Sequence, residues 1–217
     1  MTTPSRVLNL REVGGAGLQD HRARTAYRAA TEPGVPASAY PSGLVAVVDL
    51  RREDEVRAVA HPLAGSDGYR NVPLFDPWTV ESAAQAVQLE DQYVDWLDRH
   101  AHGIAAALGA IGSADGDVLV CCSAGKDRTG VVSALLARLW GASLERIGTD
   151  YAASGAALVD RFAAERAVST DPEATAVAQR CVPETMTTVI RHVEHRWGSV
   201  AAYLREIGLS DAQVAAL

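Results

Sequence analysis

The chain has 217 residues, 48% hydrophobic and 22% charged, which is enough for one domain with a buried core and demands no second. A formal net charge of −7 gives nucleic acid no electrostatic footing, so an anionic ligand must be caught by a local positive site. No apolar run approaches the roughly 20 residues that span a bilayer, so no membrane span is expected.

In chain order, residues 7–10 are expected as a short strand, Gly14-Gly15 as a turn, and residues 24–29 as a second extended piece. Residues 44–50 (L-V-A-V-V-D-L) form a continuous apolar run, the pattern of a strand buried on both faces. Residues 53–60 read as a short helix. Residues 69–75 read as extended, with Pro73 placing them at a sheet edge or strand end. From 80 to 108 the pattern is helical and amphipathic, 111–117 is a loop, and 118–120 is a strand. Residues 129–140 (T-G-V-V-S-A-L-L-A-R-L-W) are apolar nearly all round, as in a helix inside the protein, with Gly141 as its stop. The remainder is expected as helices broken at Gly155, Asp171-Pro172, Pro183, Gly198 and Gly208. Alternating strands and helices followed by a helical third predict an α/β architecture with a central, mainly parallel sheet.

Ligands of open α/β sheets bind outside the carboxyl ends of the strands. Three apolar runs deliver polar residues there: Asp49-Leu50-Arg51, Phe75-Asp76-Pro77, and the loop of V-L-V-C-C-S-A-G-K-D-R-T-G, residues 118–130. In that loop Cys122 and Arg128 are separated by Ser123, Ala124, Gly125, Lys126 and Asp127. Five short residues between a strand and a helix can curl so that successive N–H groups point inward, a nest for a tetrahedral dianion. The following helix adds its positive end, and Arg128 a bidentate fork matched to phosphate oxygens. Such surroundings favour a thiolate at Cys122, a nucleophile aimed at the phosphorus of a bound ester. Cys121 is one residue too far from Arg128 and faces the other side of the strand, so it is expected as a buried supporting thiol.

The run C-S-A-G-K-D-R-T-G resembles the phosphate loop of protein tyrosine phosphatases. N-L-R-E-V-G-G (9–15), Y-R-A-A (27–30), V-V-D-L-R (47–51) with Glu55, and G-S-V-A-A-Y-L-R-E-I-G-L-S (198–210) resemble, in matching order, one bacterial family of these enzymes with a helical lid. The resemblance implies a single phosphatase domain over 1–217, a lid within about 143–183, a phosphocysteine intermediate, and neither metal nor cofactor. It implies phosphotyrosine proteins as substrates, with phosphoserine, phosphothreonine or phosphoinositides in some members. Cys122 is then the nucleophile and Arg128 the phosphate clamp. Residues 123–129 form the phosphate-binding set, with Thr129 steadying the thiolate as it leaves. Lys126, similar to the loop lysine of lipid phosphatases, would meet a second phosphate. Where the family has histidine before the nucleophile, this chain has Cys121.

Releasing an alcohol from a phosphoester needs a proton donor. Asp76, on an Asp-Pro segment after a strand, is the first choice and Asp127 the second. Asp49, Arg51 and Glu55 read as a structural ion-pair set, and Arg11 and Glu12 as structural. His192, His195, His100 and His102 lack the spacing of a zinc helix and read as surface residues; Cys181 reads as a packed thiol. The competing readings are a non-catalytic binder of phosphorylated ligands and a sulfur-transfer domain. Three cysteines, too few for a disulfide framework, and residues 1–10 without signal-peptide character suggest a reducing, cytoplasmic setting, with secretion by another route left open.

Overall fold

The computed structural model describes residues 6–19, 22, 24–75 and 88–217. Its strands are β1 (Arg11–Glu12), β2 (Ala26–Ala30), β3 (Leu44–Asp49), β4 (Tyr69–Asn71) and β5 (Asp117–Cys122). They form one sheet in the order β1-β2-β5-β3-β4, antiparallel only at β1/β2. The carboxyl ends of β2, β3, β4 and β5 therefore lie along one edge, which brings Asp49-Leu50-Arg51 to the same edge as the loop after Cys122; of the third run, Asp76 and Pro77 lie outside the described residues. β5 is central, with Cys121 opposite both Ala29 and Asp49, and Cys122 opposite Ala30.

The helices are α1 (Glu53–Ala58), α2 (Leu89–Arg99), α3 (Ala101–Gly112), α4 (Asp127–Leu139), α5 (Leu144–Ala157), α6 (Val159–Val168), α7 (Pro172–Ala178), α8 (Pro183–Trp197), α9 (Val200–Glu206) and α10 (Asp211–Ala216). The period-2 alternation of β5 divides the core. Val118, Val120 and Cys122 face a large cluster built with α2 to α5, α8 and α9, whereas Leu119 and Cys121 face a smaller one with Val7, Ala29, Val35, Tyr40 and Val47. α4 is buried at every position from Thr129 to Ala137, as its all-round apolar sequence requires.

Several expectations move. Residues 7–10 are not a strand: Asn9 sits at φ 58°, a left-handed conformation that breaks an extended chain, and the ladder starts at Arg11. The expected 53–60 helix ends at Ala58, because Val59 turns extended and its carbonyl accepts from Arg51 Nη1 at 2.7 Å. Residues 80–87 lie outside the described residues, and the helical stretch beyond them splits at His100, which leaves the helical region at φ −114°, ψ 25°. α3 continues to Gly112, shortening the expected loop, and β5 runs two residues beyond Val120, so Cys122 is its last residue. Gly155 does not break α5; a Cβ there would lie 3.3 Å from Cys181 Cβ, so the glycine serves close packing. His100 is buried, its ring 4.7 Å from that of Phe75, and is not a surface residue.

On the smaller face His61 is buried between the rings of Tyr40 and Tyr69, with Asp49 and Arg51 nearby. Burial lowers its pKa from 6.5 to about 4. The unfolded chain then binds a proton between those values that the folded chain refuses, so this contribution is intact above pH 6.5 and lost as pH falls toward 4. The loss is at most about 3 kcal/mol. Urea midpoints at pH 7 and pH 4.5 should show a drop that His61→Phe reduces; an equal drop in both proteins would remove His61 as its cause.

Candidate active site

The loop after β5 takes its shape from what holds its carbonyl oxygens. Thr31 N donates to Cys122 O (3.0 Å) and Ser123 O (3.1 Å). Arg161, on α6, donates through Nη1 to Ser123 O and through Nη2 to Ser123 Oγ, both at 2.8 Å. Asn9 Nδ2 donates to Ala124 O (3.1 Å) and Gly125 O (2.9 Å). Arg28 Nη2 donates to Gly125 O (2.9 Å) and Lys126 O (3.4 Å). In a trans peptide each C=O and the next N–H point in opposite directions. Five carbonyls held outward therefore turn the amides of Ser123 to Asp127 inward.

Gly125 is required twice over. Its φ is +64°, and a Cβ would stand 2.3 Å from the backbone carbon and oxygen of Ala29. The loop lies against β2 so closely that any side chain there displaces it.

Cys122 ends β5, buried on the large-cluster face. Arg128 stands in the first turn of α4, where helical amides lack partners of their own. Its guanidinium is forked onto Glu55, with Nη1–Oε2 at 2.5 Å and Nη2–Oε1 at 2.9 Å, and lies 5.3 Å over the Phe75 ring. Glu55 also accepts from Arg52 N at the start of α1, so one carboxylate caps a helix and aims the arginine. Burial alone would raise the Glu55 carboxyl, but its bonds to Arg128 outweigh it and hold the group below its usual range. The expected set of Asp49, Arg51 and Glu55 thus divides. Asp49 and Arg51 pair with each other at 2.7 Å in the interior, with Tyr69 Oη donating to Asp49, while Glu55 belongs to Arg128.

Lys126 is buried, its Nζ 2.7 Å from both Asp127 Oδ1 and Ala178 O at the end of α7. Burial lowers its pKa, and Asp127 more than offsets this, leaving it raised. Its charge is thus engaged with protein groups. Asp127 Oδ1 also accepts from Tyr93 Oη, which lies 3.1 Å from Tyr151 Oη. Thr129 Oγ1 is buried with no hydrogen-bond partner among the described residues. Asp76 lies outside the described residues; its predecessor Phe75 is buried against Arg128.

Cys121 is wholly buried on the smaller face, and burial, then Asp49, pushes its thiol well above its ordinary pKa. Cys181 is partly buried with its pKa likewise raised by burial. Among the described residues no group of three or more His, Cys, Asp or Glu is gathered as a metal set, and no helix is long and apolar enough to cross a membrane.

Asn9, Arg28 and Arg161 carry no chemistry of their own, and sequence reasoning gave them no role. Arg28 had a signal: an arginine inside the apolar strand A-Y-R-A-A must find a buried acid, and it finds Asp150 at 2.7 Å. Asn9 and Arg161, each remote in sequence from the loop, gave none.

A curated tyrosine-protein phosphatase of Nostoc commune is 26% identical over 188 residues, covering 77% of this chain and 62% of that protein. The chain thus spans about three fifths of the length of that relative. A model of the tyrosine phosphatase family matches residues 3–217, and a match running over nearly the whole chain, including the loop of inward amides between Cys122 and Arg128, makes this protein a member of the tyrosine phosphatase family.

Proposed function

We propose that the protein hydrolyses phosphomonoesters through a phosphocysteine intermediate. The observation that carries this reading is the loop: five carbonyls held outward, amides inward, Cys122 at its start and Arg128 at its end. The inward amides, the first turn of α4 and Arg128 suit the three equatorial oxygens of a phosphoryl group in transfer. Cys122 Sγ attacks phosphorus, the phosphorus–oxygen ester bond breaks, and a carboxyl group protonates the departing oxygen. Water then attacks phosphorus, the sulfur–phosphorus bond breaks, and the carboxylate takes the water proton. Inorganic phosphate and the Cys122 thiolate result. The unpartnered Thr129 hydroxyl is free to donate to that thiolate.

The acid in this reading is Asp76. Its support is that Phe75, one residue earlier, packs against Arg128, whereas Asp127 Oδ1 is engaged by Lys126 and Tyr93. The substrates we propose are phosphotyrosine proteins, with phosphoserine, phosphothreonine and phosphoinositides as the related esters. α6 and α7, which touch the loop through Arg161 and Lys126, are read as its cover.

The test is release of phosphate from p-nitrophenyl phosphate in the presence of chelator, with acid quenching to trap phosphate on the Cys122 peptide. Turnover with the adduct is expected. Phosphate binding without turnover would establish the non-catalytic binder instead. Turnover abolished by chelator would sink the metal-free mechanism.

A further inference from the structure

The geometry points to Asn9 as the residue that positions the phosphate loop, working with Arg28 through a buried charge network. Asn9 is 4% exposed and at φ 58° is the non-glycine residue with positive φ among the described residues. Asparagine tolerates this region better than most side chains, yet the conformation still needs support from its surroundings.

The support is visible. Arg11 Nη1 donates to Asn9 O at 3.1 Å and to Asn9 Oδ1, so the guanidinium grips both the backbone and the side chain. Because a guanidinium can only donate, the amide oxygen must face Arg11, and the NH2 group must face the loop. Its hydrogens meet Ala124 O and Gly125 O. Arg11 is in turn fixed by Asp150, with Nε–Oδ1 at 2.6 Å and Nη2–O at 2.7 Å. Burial and the neighbouring Arg28 bring its pKa down to about 10, which still leaves it charged at neutral pH.

Asp150 is the hub. Its Oδ2 accepts from Arg28 Nη1 at 2.7 Å, and Arg28 Nη2 reaches the same Gly125 O that Asn9 holds. Burial would raise the Asp150 carboxyl, but Arg28 and Arg11 together hold it below its usual range. The Gly125 carbonyl therefore has two donors of separate origin, one amide and one guanidinium. Both turn it away from the centre of the loop, and with it turn the Lys126 amide toward that centre.

The role is positional, and as a statement about catalysis it rests on the phosphatase reading. Two variants test it. Asn9→Asp keeps the shape and the grip of Arg11 but has no hydrogens for the loop carbonyls. Asn9→Gly removes the amide while fitting the left-handed backbone without strain. In both, kcat/KM for p-nitrophenyl phosphate and affinity for tungstate, measured by calorimetry, should fall together by about tenfold to a hundredfold, the scale of a small misplacement of binding groups. Arg24→Ala is the structural control. Arg24 holds the carbonyls of Gly112, Ala114 and Ala216 at the amino end of β5, the end opposite Cys122, so its loss should lower the melting temperature and leave tungstate affinity unchanged.

Folded Asn9→Gly and Asn9→Asp proteins with wild-type kcat/KM and tungstate affinity would overturn the positioning role; if Asn9→Asp fails to fold, Asn9→Gly decides alone. A wild-type protein that binds tungstate without turnover would fell the phosphatase reading and leave the tungstate comparison to judge Asn9. A wild-type protein that binds no tungstate would overturn both.

Discussion

Cys122→Ser should lose turnover of p-nitrophenyl phosphate by at least about 10⁴-fold, on the scale seen when a covalent nucleophile is removed. Cys121→Ser should keep most of it. The two thiols are adjacent in sequence and opposite in environment. Cys122 ends β5 at the base of a loop whose amides turn inward, while Cys121 packs on the other face among Val47, Leu119 and Tyr40 with its thiol held protonated. A serine hydroxyl buried at 121 costs stability, roughly 1–3 kcal/mol, and no reacting atom. Melting temperature should therefore fall for Cys121→Ser and rate for Cys122→Ser. Equal loss of rate in both folded variants would defeat the assignment.

Arg128→Lys is expected to lower kcat/KM by about 10³-fold, the scale of a phosphoryl-clamping arginine. Lysine keeps the charge and loses the fork, and the proposed reaction uses the fork twice. It locks onto both oxygens of Glu55, and its remaining N–H groups are the ones proposed to meet the phosphoryl oxygens. A lysine ammonium can satisfy Glu55 or a phosphate oxygen but cannot span both with the same planarity. Tungstate affinity measured beside the kinetics should fall in parallel. A variant within tenfold of the wild type would show that charge alone suffices and that the fork is incidental.

The loop from Cys122 to Arg128 and the central strand were legible in the sequence because each is a local pattern. An apolar run, a five-residue spacing and a glycine at the crowded point of the loop speak for themselves within a dozen residues. What holds the loop was not legible in this way. Asn9 lies 116 residues from Gly125, Arg28 lies 97, and Arg161, on α6, lies 38 from Ser123. Residues 9–15 and 27–30 entered the reading through family resemblance; an arginine in apolar β2 announced a buried acid, and nothing local said that it would also hold the loop. Glu55 shows the same limit from the other side. Its helix start was readable, but which cation it would meet depended on how α1 and α4 lie together at the sheet edge. The short strand expected at 7–10 failed for a related reason, since a single left-handed residue has no periodicity to announce it.

The position of β5 has a consequence for how the protein is made. β2 and β3 precede it along the chain yet lie on either side of it, so neither has its central neighbour until Asp117 and the residues after it have been synthesised. At about 5–20 residues per second, β3 waits several seconds on the ribosome with an apolar edge unpaired. The last strand to emerge is the one that joins the two halves of the sheet, and it is the one that carries Cys122. A nascent chain stalled before Asp117 should hence be a client for chaperones, while completion of the sheet and delivery of the thiol occur in a single event.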